Sequence, residues 1–292
     1  MTTFATRTGS LGIGFRTLGW ADWCKDVPGM TAWAREHGFA CIDVGKSLDD
    51  AKAVLDGGLT VGSIDLLQWP QMIDADDDTR AAAVEANAGY IREATDLGIR
   101  NFFVVMLPAD TALPREENFG YMAESFARLA EAAEPTGARI VIEGWPGPGA
   151  LACTPADLRA LFDAVPSPVM AVNYDPSHLL RMGIDPLRFL NAFADRVAHV
   201  HAKDCDTDAD KAYDLGTEQP PTFAKNPPFG GPFWRYCLPG HGQVRWVAVF
   251  EKLAAAGYDG HVSIEMEDAR FNEGEADQKE ALLLSRRFLE GV

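Results

Sequence analysis

The residues able to do chemistry close short apolar runs. "IVIEGW" (140–145) presents Glu143, and "VNYDPSH" (172–178) presents Asp175 with His178 three residues on. "RVAHVHAKD" (196–204) carries His199, His201 and Lys203, and "VSIEMED" (262–268) carries Glu265. Alternation along a strand puts His199, His201 and Lys203 on one face. An unpaired charge in an apolar run is costly. Three carboxylates and an imidazole, drawn together, would repel one another without a cation. A divalent metal held by Glu143, Asp175, His201 and Glu265 resolves that cost. Oxygen-rich ligands with one histidine suit Mn²⁺, Mg²⁺ or Co²⁺ better than a thiolate zinc site, and one Mn²⁺ ion is the expectation. His199, one pleat deeper, reads as support for His201. Lys203 is placed at the rim, where it and Asp204 either bind substrate or pair with each other. Each residue has a plainer reading alone, as a salt-bridged strand end or a satisfied core histidine. The argument rests on the set.

Such a set works only if the four runs end at one place. Eight β-rich runs recur along the chain: "LGIGF", "FACIDVG", "TVGSIDLL", "IRNFFVVM", "RIVIEGW", "VMAVNYD", "RVAHVHAKD" and "HVSIEME". Helical patterns lie between them. "DTRAAAVEANAGYIREATDLG" stops at Gly98, and "REENFGYMAESFARLAEAAEPTG" stops at Pro135 and Gly137. "TPADLRALFDAV" opens with Thr154 as N-cap and Pro155 at the first helical position. Strands alternating with helices predict a parallel α/β arrangement. Eight strands close a (β/α)8 TIM barrel, read here as one domain over residues 1–292. The alternative, a doubly wound open sheet, needs a glycine fingerprint after an early strand. "GSLGIG" (9–14) begins the first strand instead and reads as a turn. In a barrel the C-terminal strand ends meet at the active site.

One connection breaks the rhythm. Residues 205–241 form a long loop after the seventh strand, rich in Pro, Gly and aromatics: "EQPPTFAKNPPFGGPFWRYCLPGHG". Loops of that length are commonly functional or disordered. Phe223, Phe229, Phe233, Trp234 and Tyr236 argue for order. The loop reads as a lid or wall, with residues 219–238 over the substrate. Aromatic loops also suit subunit interfaces, and a homo-oligomer is expected.

A net charge of −17 repels phosphate backbones, so nucleic acid is not an expected partner. "DADDD" (74–78) and "DCDTDAD" (204–210) read as solvated loops and a helix start. No run of about 18 apolar residues is present, so no membrane span is expected. "MTTFATRTGS" lacks the apolar stretch of a secretory leader. Five cysteines, Cys24, Cys41, Cys153, Cys205 and Cys237, form no CxxC pair. Reduced thiols and a cytoplasmic protein are the expectation.

With "VIEGW", "NYDPSH", "HVHAKD", "SIEME" and "FWRYCLPGHGQVRW" in this order, the chain resembles the xylose-isomerase-like TIM barrels, which include sugar phosphate isomerases/epimerases and ketose 3-epimerases. The resemblance covers nearly the whole chain. It implies the same four metal ligands, and it implies that His178 touches a substrate hydroxyl or carbonyl oxygen. It further implies that Glu143 and Glu265 work as bases on opposite faces of the sugar.

The chemistry expected of such a site is proton abstraction next to a carbonyl, through an enediolate. Returning the proton to the other face epimerises, and returning it to the neighbouring carbon isomerises. One departure is Thr207, six residues after His201, where ketose 3-epimerases typically carry arginine. The aromatic loop points to a larger or aryl-bearing ligand. The alternative is therefore β-elimination from a 3-keto-glycoside, as in C-glycoside deglycosylases. Asp43, Asp65, Trp145, Arg235 and His241 are further candidate contacts. The aspartates and Arg235 read equally well as structural ion pairs, and Trp145 as a wall. An endonuclease of the same fold would need more than six histidines and a basic face. A metal-free binding protein is the non-enzyme rival.

Overall fold

The barrel strands form where the apolar runs predict them, and two further strands lie outside the barrel. In the computed structural model, which describes residues 11–292, they are β1 (Ile13–Arg16), β2 (Cys41–Val44), β3 (Thr60–Asp65), β4 (Asn101–Val105) and β5 (Arg139–Glu143). They continue with β6 (Met170–Tyr174), β7 (Val197–Ala202), β8 (Asp204–Thr207), β9 (Trp234–Cys237) and β10 (Val262–Ile264). The stretch "MTTFATRTGS", including the first two residues of "GSLGIG", lies outside the described residues. Eight of the strands are the predicted runs, and they close into a parallel barrel in the order β1-β10-β7-β6-β5-β4-β3-β2. The remaining two, β8 and β9, pair with each other as an antiparallel ribbon.

The helices are α1 (Val27–Glu36), α2 (Leu48–Asp56), α3 (Asp77–Asp96), α4 (Arg115–Ala133) and α5 (Pro155–Ala164). After them come α6 (Pro176–Arg181), α7 (Pro186–Phe193), α8 (Ala209–Leu215), α9 (Trp246–Ala255) and α10 (Glu275–Glu290). Their starts follow capping chemistry. Thr154 accepts the Asp157 N–H at 3.2 Å with Pro155 in the first turn, as predicted. Asp76, inside the acidic run 74–78, caps α3 through Thr79.

Contacts divide the chain into two compact units. One holds the segment ending at Ile42, Asp175–Ala194 and His201–Val292. The other holds Asp43–Tyr174 and Asp195–Val200. The first contains β1 paired to β10, together with the ribbon and α6 to α10. The second contains β2 to β6 and the first part of β7, with β4, β5 and β6 in continuous register.

The long loop is the main departure from the sequence reading. Residues 205–241 are not one irregular lid. They hold β8's ladder to β9, with Cys205 opposite Tyr236 and Thr207 opposite Trp234, and the short helix α8. β8 (DCDT) is polar and β9 (WRYC) has no apolar run around it, so neither carries the signal that marks the barrel strands. Nor do the aromatics act together: Phe223 is fully exposed, while Tyr236 is buried at 4%.

The second acidic run is also corrected. Asp204 is not solvated and does not pair with Lys203. It is fully buried and accepts hydrogen bonds from the N–H groups of Cys205, Gly240 and Val244 and from Trp246 Nε1, all between 2.8 and 3.0 Å. Burial raises its carboxyl pKa, and these donors oppose the rise. The "LPGHG" turn is folded around it. Gly240 has φ +84°, and a Cβ at Gly242 would stand 2.3 Å from Asp204 Oδ1.

Candidate active site

Asp175 follows β6 directly and is the N-cap of α6. Its Oδ1 accepts the Ser177 N–H at 2.8 Å and the Ser177 hydroxyl at 2.6 Å. Pro176 in the first turn fixes the entry to the helix. The cap uses one oxygen and leaves Oδ2 turned to Lys203 and His178. Lys203 Nζ lies 3.3 Å from it and His178 Nε2 lies 3.5 Å from it. Buried Oδ2 accepts no hydrogen bond.

Lys203 is buried at 1% exposure, not at the rim. Its ammonium meets Glu265 at 2.5 Å and Glu267 at 3.0 Å, and it stands 4.5 Å from the centre of the Tyr236 ring. Burial works against the charge, but Asp175, Glu265 and Glu267 outweigh it and hold the ammonium well above the usual lysine range. Burial alone would likewise push Glu265 up. Lys203, His201 at 3.5 Å and Arg16 at 3.6 Å hold it well below the usual carboxylate range instead. Glu267 goes the other way: burial, with repulsion from Glu265, raises it against the pull of Lys203. Asp175, His178 and Glu265 each present a ligand atom, and these lie within 4.8 Å of one another. Hard oxygen donors with one imidazole suit Mg²⁺, Mn²⁺ or Co²⁺. The donor set and the open Oδ2 of Asp175 fit a divalent cation, and Glu267 gives Lys203 a counter-charge of its own.

In the other unit, Glu143 is the last residue of β5 and is buried at 4%. Asn173 Nδ2 donates to its Oε2 at 2.8 Å. The β6–β7 register shifts between Val172 and Asn173, the kind of irregularity that re-aims a side chain. Asp43 and His199, both fully buried, are 2.7 Å apart. Of the two readings for Asp43, that contact is the structural pair. Asp65 ends β3 and is buried at 7%. Trp145 and Trp69 are partly buried and pack against Phe103, Val105, Val141 and Ala171.

Arg235 and His241 do not join the carboxylate set. Arg235 pairs with Asp206 across the ribbon at 2.9 Å, which is the salt-bridge alternative. His241 is exposed, and its Nδ1 accepts from Arg270 at 3.2 Å. Three residues that the sequence does not single out lie beside the cluster: Glu267, Arg181 and Tyr236. Glu267 lies two positions after Glu265, the spacing that keeps side chains on one side of an extended chain. Arg181 lies three after His178, on the same helix face. Tyr236 was one of five loop aromatics with nothing to distinguish it. Burial pushes its phenol up against Lys203 and Arg181, so it keeps its proton.

Lys203→Met should destabilise the fold by about 3 kcal/mol, the lower end of the cost of breaking a buried ion pair, because water reaches Glu265 and Glu267 in part. Denaturant midpoints check this. Adding Glu267→Leu to Lys203→Met should recover part of the loss. A single variant as stable as the native chain would show that the carboxylates do not need this ammonium.

Comparison with known proteins adds the family. A model described as xylose isomerase-like TIM barrel matches residues 31–288. Inosose dehydratase of Bacillus thuringiensis (strain Al Hakam) is 28% identical over 152 residues, 52% of this chain and 48% of that one. Inosose dehydratase of Geobacillus thermodenitrificans (strain NG80-2) is 30% identical over 153 residues, with the same coverage. The matched part spans about half the length of these curated relatives. Among solved structures, 3-keto-D-glucoside 4-epimerase from E. coli superposes with a TM-score of 0.69 at 16% identity, over 97% of this chain and 100% of that one. The IOLI protein with a bound zinc atom superposes with a TM-score of 0.67 at 18% identity, over 95% and 96%. Likenesses at that identity establish the fold.

Proposed function

The chain belongs to the xylose isomerase-like TIM barrel family, and on that premise we propose that it is a divalent-metal-dependent isomerase or epimerase of a sugar or sugar derivative, working as one barrel domain. The observation that carries this reading is the pair of carboxylates Asp175 and Glu265, with His178 beside the first and His201 3.5 Å from the second, where β6, β7 and β10 end. Glu143, Asp175, His201 and Glu265 are the proposed metal ligands, with Mn²⁺ preferred and Mg²⁺ or Co²⁺ as alternatives. The ion supplies Lewis-acid polarisation of a substrate carbonyl. Glu143 and Glu265 take and return the proton on the neighbouring carbon. His178 holds a substrate oxygen. Lys203 keeps Glu265 ionised, and Trp145 with Trp69 walls the sugar's apolar face.

A second reading is elimination. It is favoured by the relatives named inosose dehydratase. The same carbon would lose its proton, and the β-substituent would leave with a proton, as water or as an aglycone. The 3-keto-glycoside form of this reading also accords with the E. coli structural neighbour's name.

The test is a deuterium wash-in screen with added Mn²⁺ across free ketoses, sugar phosphates, inososes and 3-keto-glycosides. Exchange at one carbon with a new epimer or isomer supports the first reading. Loss of water or an aglycone without any epimer supports the second. No metal-dependent exchange or elimination with any class defeats both.

A further inference from the structure

The ribbon returns one side chain to the site, Tyr236, and its bonding settles a question about His178. Tyr236 Oη lies 2.6 Å from His178 Nδ1 and accepts from Arg181 Nη1 at 2.7 Å. Among the described residues these are the phenol's two polar partners. A guanidinium has donors only. The phenol's single hydrogen therefore has one acceptor in reach, His178 Nδ1. The reverse assignment, with Nδ1–H donating to Oη, would leave the phenol hydrogen buried and unmatched, at a cost of about 1–3 kcal/mol. When Nδ1 of a neutral imidazole accepts, its hydrogen is on Nε2. Nε2 is the nitrogen 3.5 Å from Asp175 Oδ2.

We propose that Tyr236, steadied by Arg181, is a positioning residue that holds His178 as its Nε2–H tautomer, so that His178 is a hydrogen-bond donor to a substrate oxygen beside Asp175 and not a metal ligand. This rests on the reading of the Asp175 cluster as the site. It divides the two histidines near Glu265: His201 is left as the imidazole for the cation, and His178 addresses the substrate. The arrangement is built, not incidental. His178 and Arg181 share a face of α6, and Trp234 of the ribbon covers the Arg181 guanidinium at 4.1 Å and packs on Tyr236 with ring centres 4.8 Å apart. The ligand class this favours is one with a hydroxyl or carbonyl oxygen at the Asp175 corner.

The test is multiple-bond ¹H–¹⁵N correlation spectroscopy on the full chain labelled with ¹⁵N-histidine. His178 is identified by the signals that vanish in His178→Gln. The expected pattern in the native chain is protonated Nε2 and bare Nδ1, unchanged when Mg²⁺ is added to saturation. In Tyr236→Phe the pattern should move to Nδ1–H or to an exchanging mixture. Native His178 with Nδ1–H, loss of the Nε2 proton on adding Mg²⁺, or an unmoved pattern in Tyr236→Phe would each overturn the inference. If Tyr236→Phe does not fold, the native spectra with and without Mg²⁺ still decide. An enzyme that exchanges substrate hydrogen but carries Nδ1–H sinks this inference alone. A protein without metal or exchange, but with the Nε2–H pattern, sinks the proposed function and leaves the tautomer standing.

Discussion

Asp175→Ala should bind no divalent ion and exchange no substrate hydrogen, and chelating the native protein should have the same effect on exchange. The expectation follows from the two duties of this carboxylate. Oδ1 caps α6 through Ser177, and Oδ2 faces Lys203 and His178 without a hydrogen bond. Alanine removes both, so about 1 kcal/mol of cap should be lost along with the ligand. Asp175→Asn keeps a capping oxygen and removes the charge. It should fold almost as well as the native chain and still lose the ion. Comparing the two separates ligation from capping. Metal content per chain and melting temperature with and without Mn²⁺ report the result. An ion present at 100 times its dissociation constant stabilises the native chain by about 2.7 kcal/mol, and neither variant should gain that increment. His201→Ala should also lose the ion. A full metal complement in Asp175→Ala and His201→Ala together would remove these residues from the ligand set.

What was legible beforehand was what the backbone pattern writes in one place. The barrel strands are apolar runs between turn signals, and Glu143, Asp175 and Glu265 are conspicuous as charges that close such runs. Thr154 and Pro155 announce α5 because a cap is a local device. What was illegible depends on partners remote in sequence. From sequence Lys203 reads as a rim residue, since long cations usually reach solvent. Its burial makes sense only once Asp175, Glu265 and Glu267 stand around it, 28, 62 and 64 residues away in the chain. Asp204 looked like part of a solvated acidic run. Its partners, Gly240, Val244 and Trp246, lie beyond the ribbon. Tyr236 enters through pairing of β8 with β9, 4 residues each. β8 is polar and follows β7 after Lys203 alone, and β9 ends a connection crowded with Pro and Gly, so neither stands out as an apolar run between turns.

Glu143→Gln and Glu265→Gln should each slow hydrogen exchange from one epimer by about 10²–10⁴-fold while the chain stays folded. Glutamine keeps the shape and an oxygen ligand but cannot take a proton. The two glutamates differ in setting. Glu265 is held ionised by Lys203, His201 and Arg16, so its basicity is low while Lys203 stays on it. Glu143 receives a neutral donor, the Asn173 amide. The expected asymmetry is a larger fall from one epimer for Glu143→Gln and from the other for Glu265→Gln. In a true epimerase each variant still exchanges hydrogen from one epimer, because the base on the other face is intact. In a lyase that complementarity is absent: one variant stops elimination, the other does not, and the native enzyme yields no epimer. Measuring wash-in from both epimers, with metal content checked in each variant, separates these cases. Near-native exchange from every active substrate in both metal-loaded variants would mean that neither glutamate moves the proton.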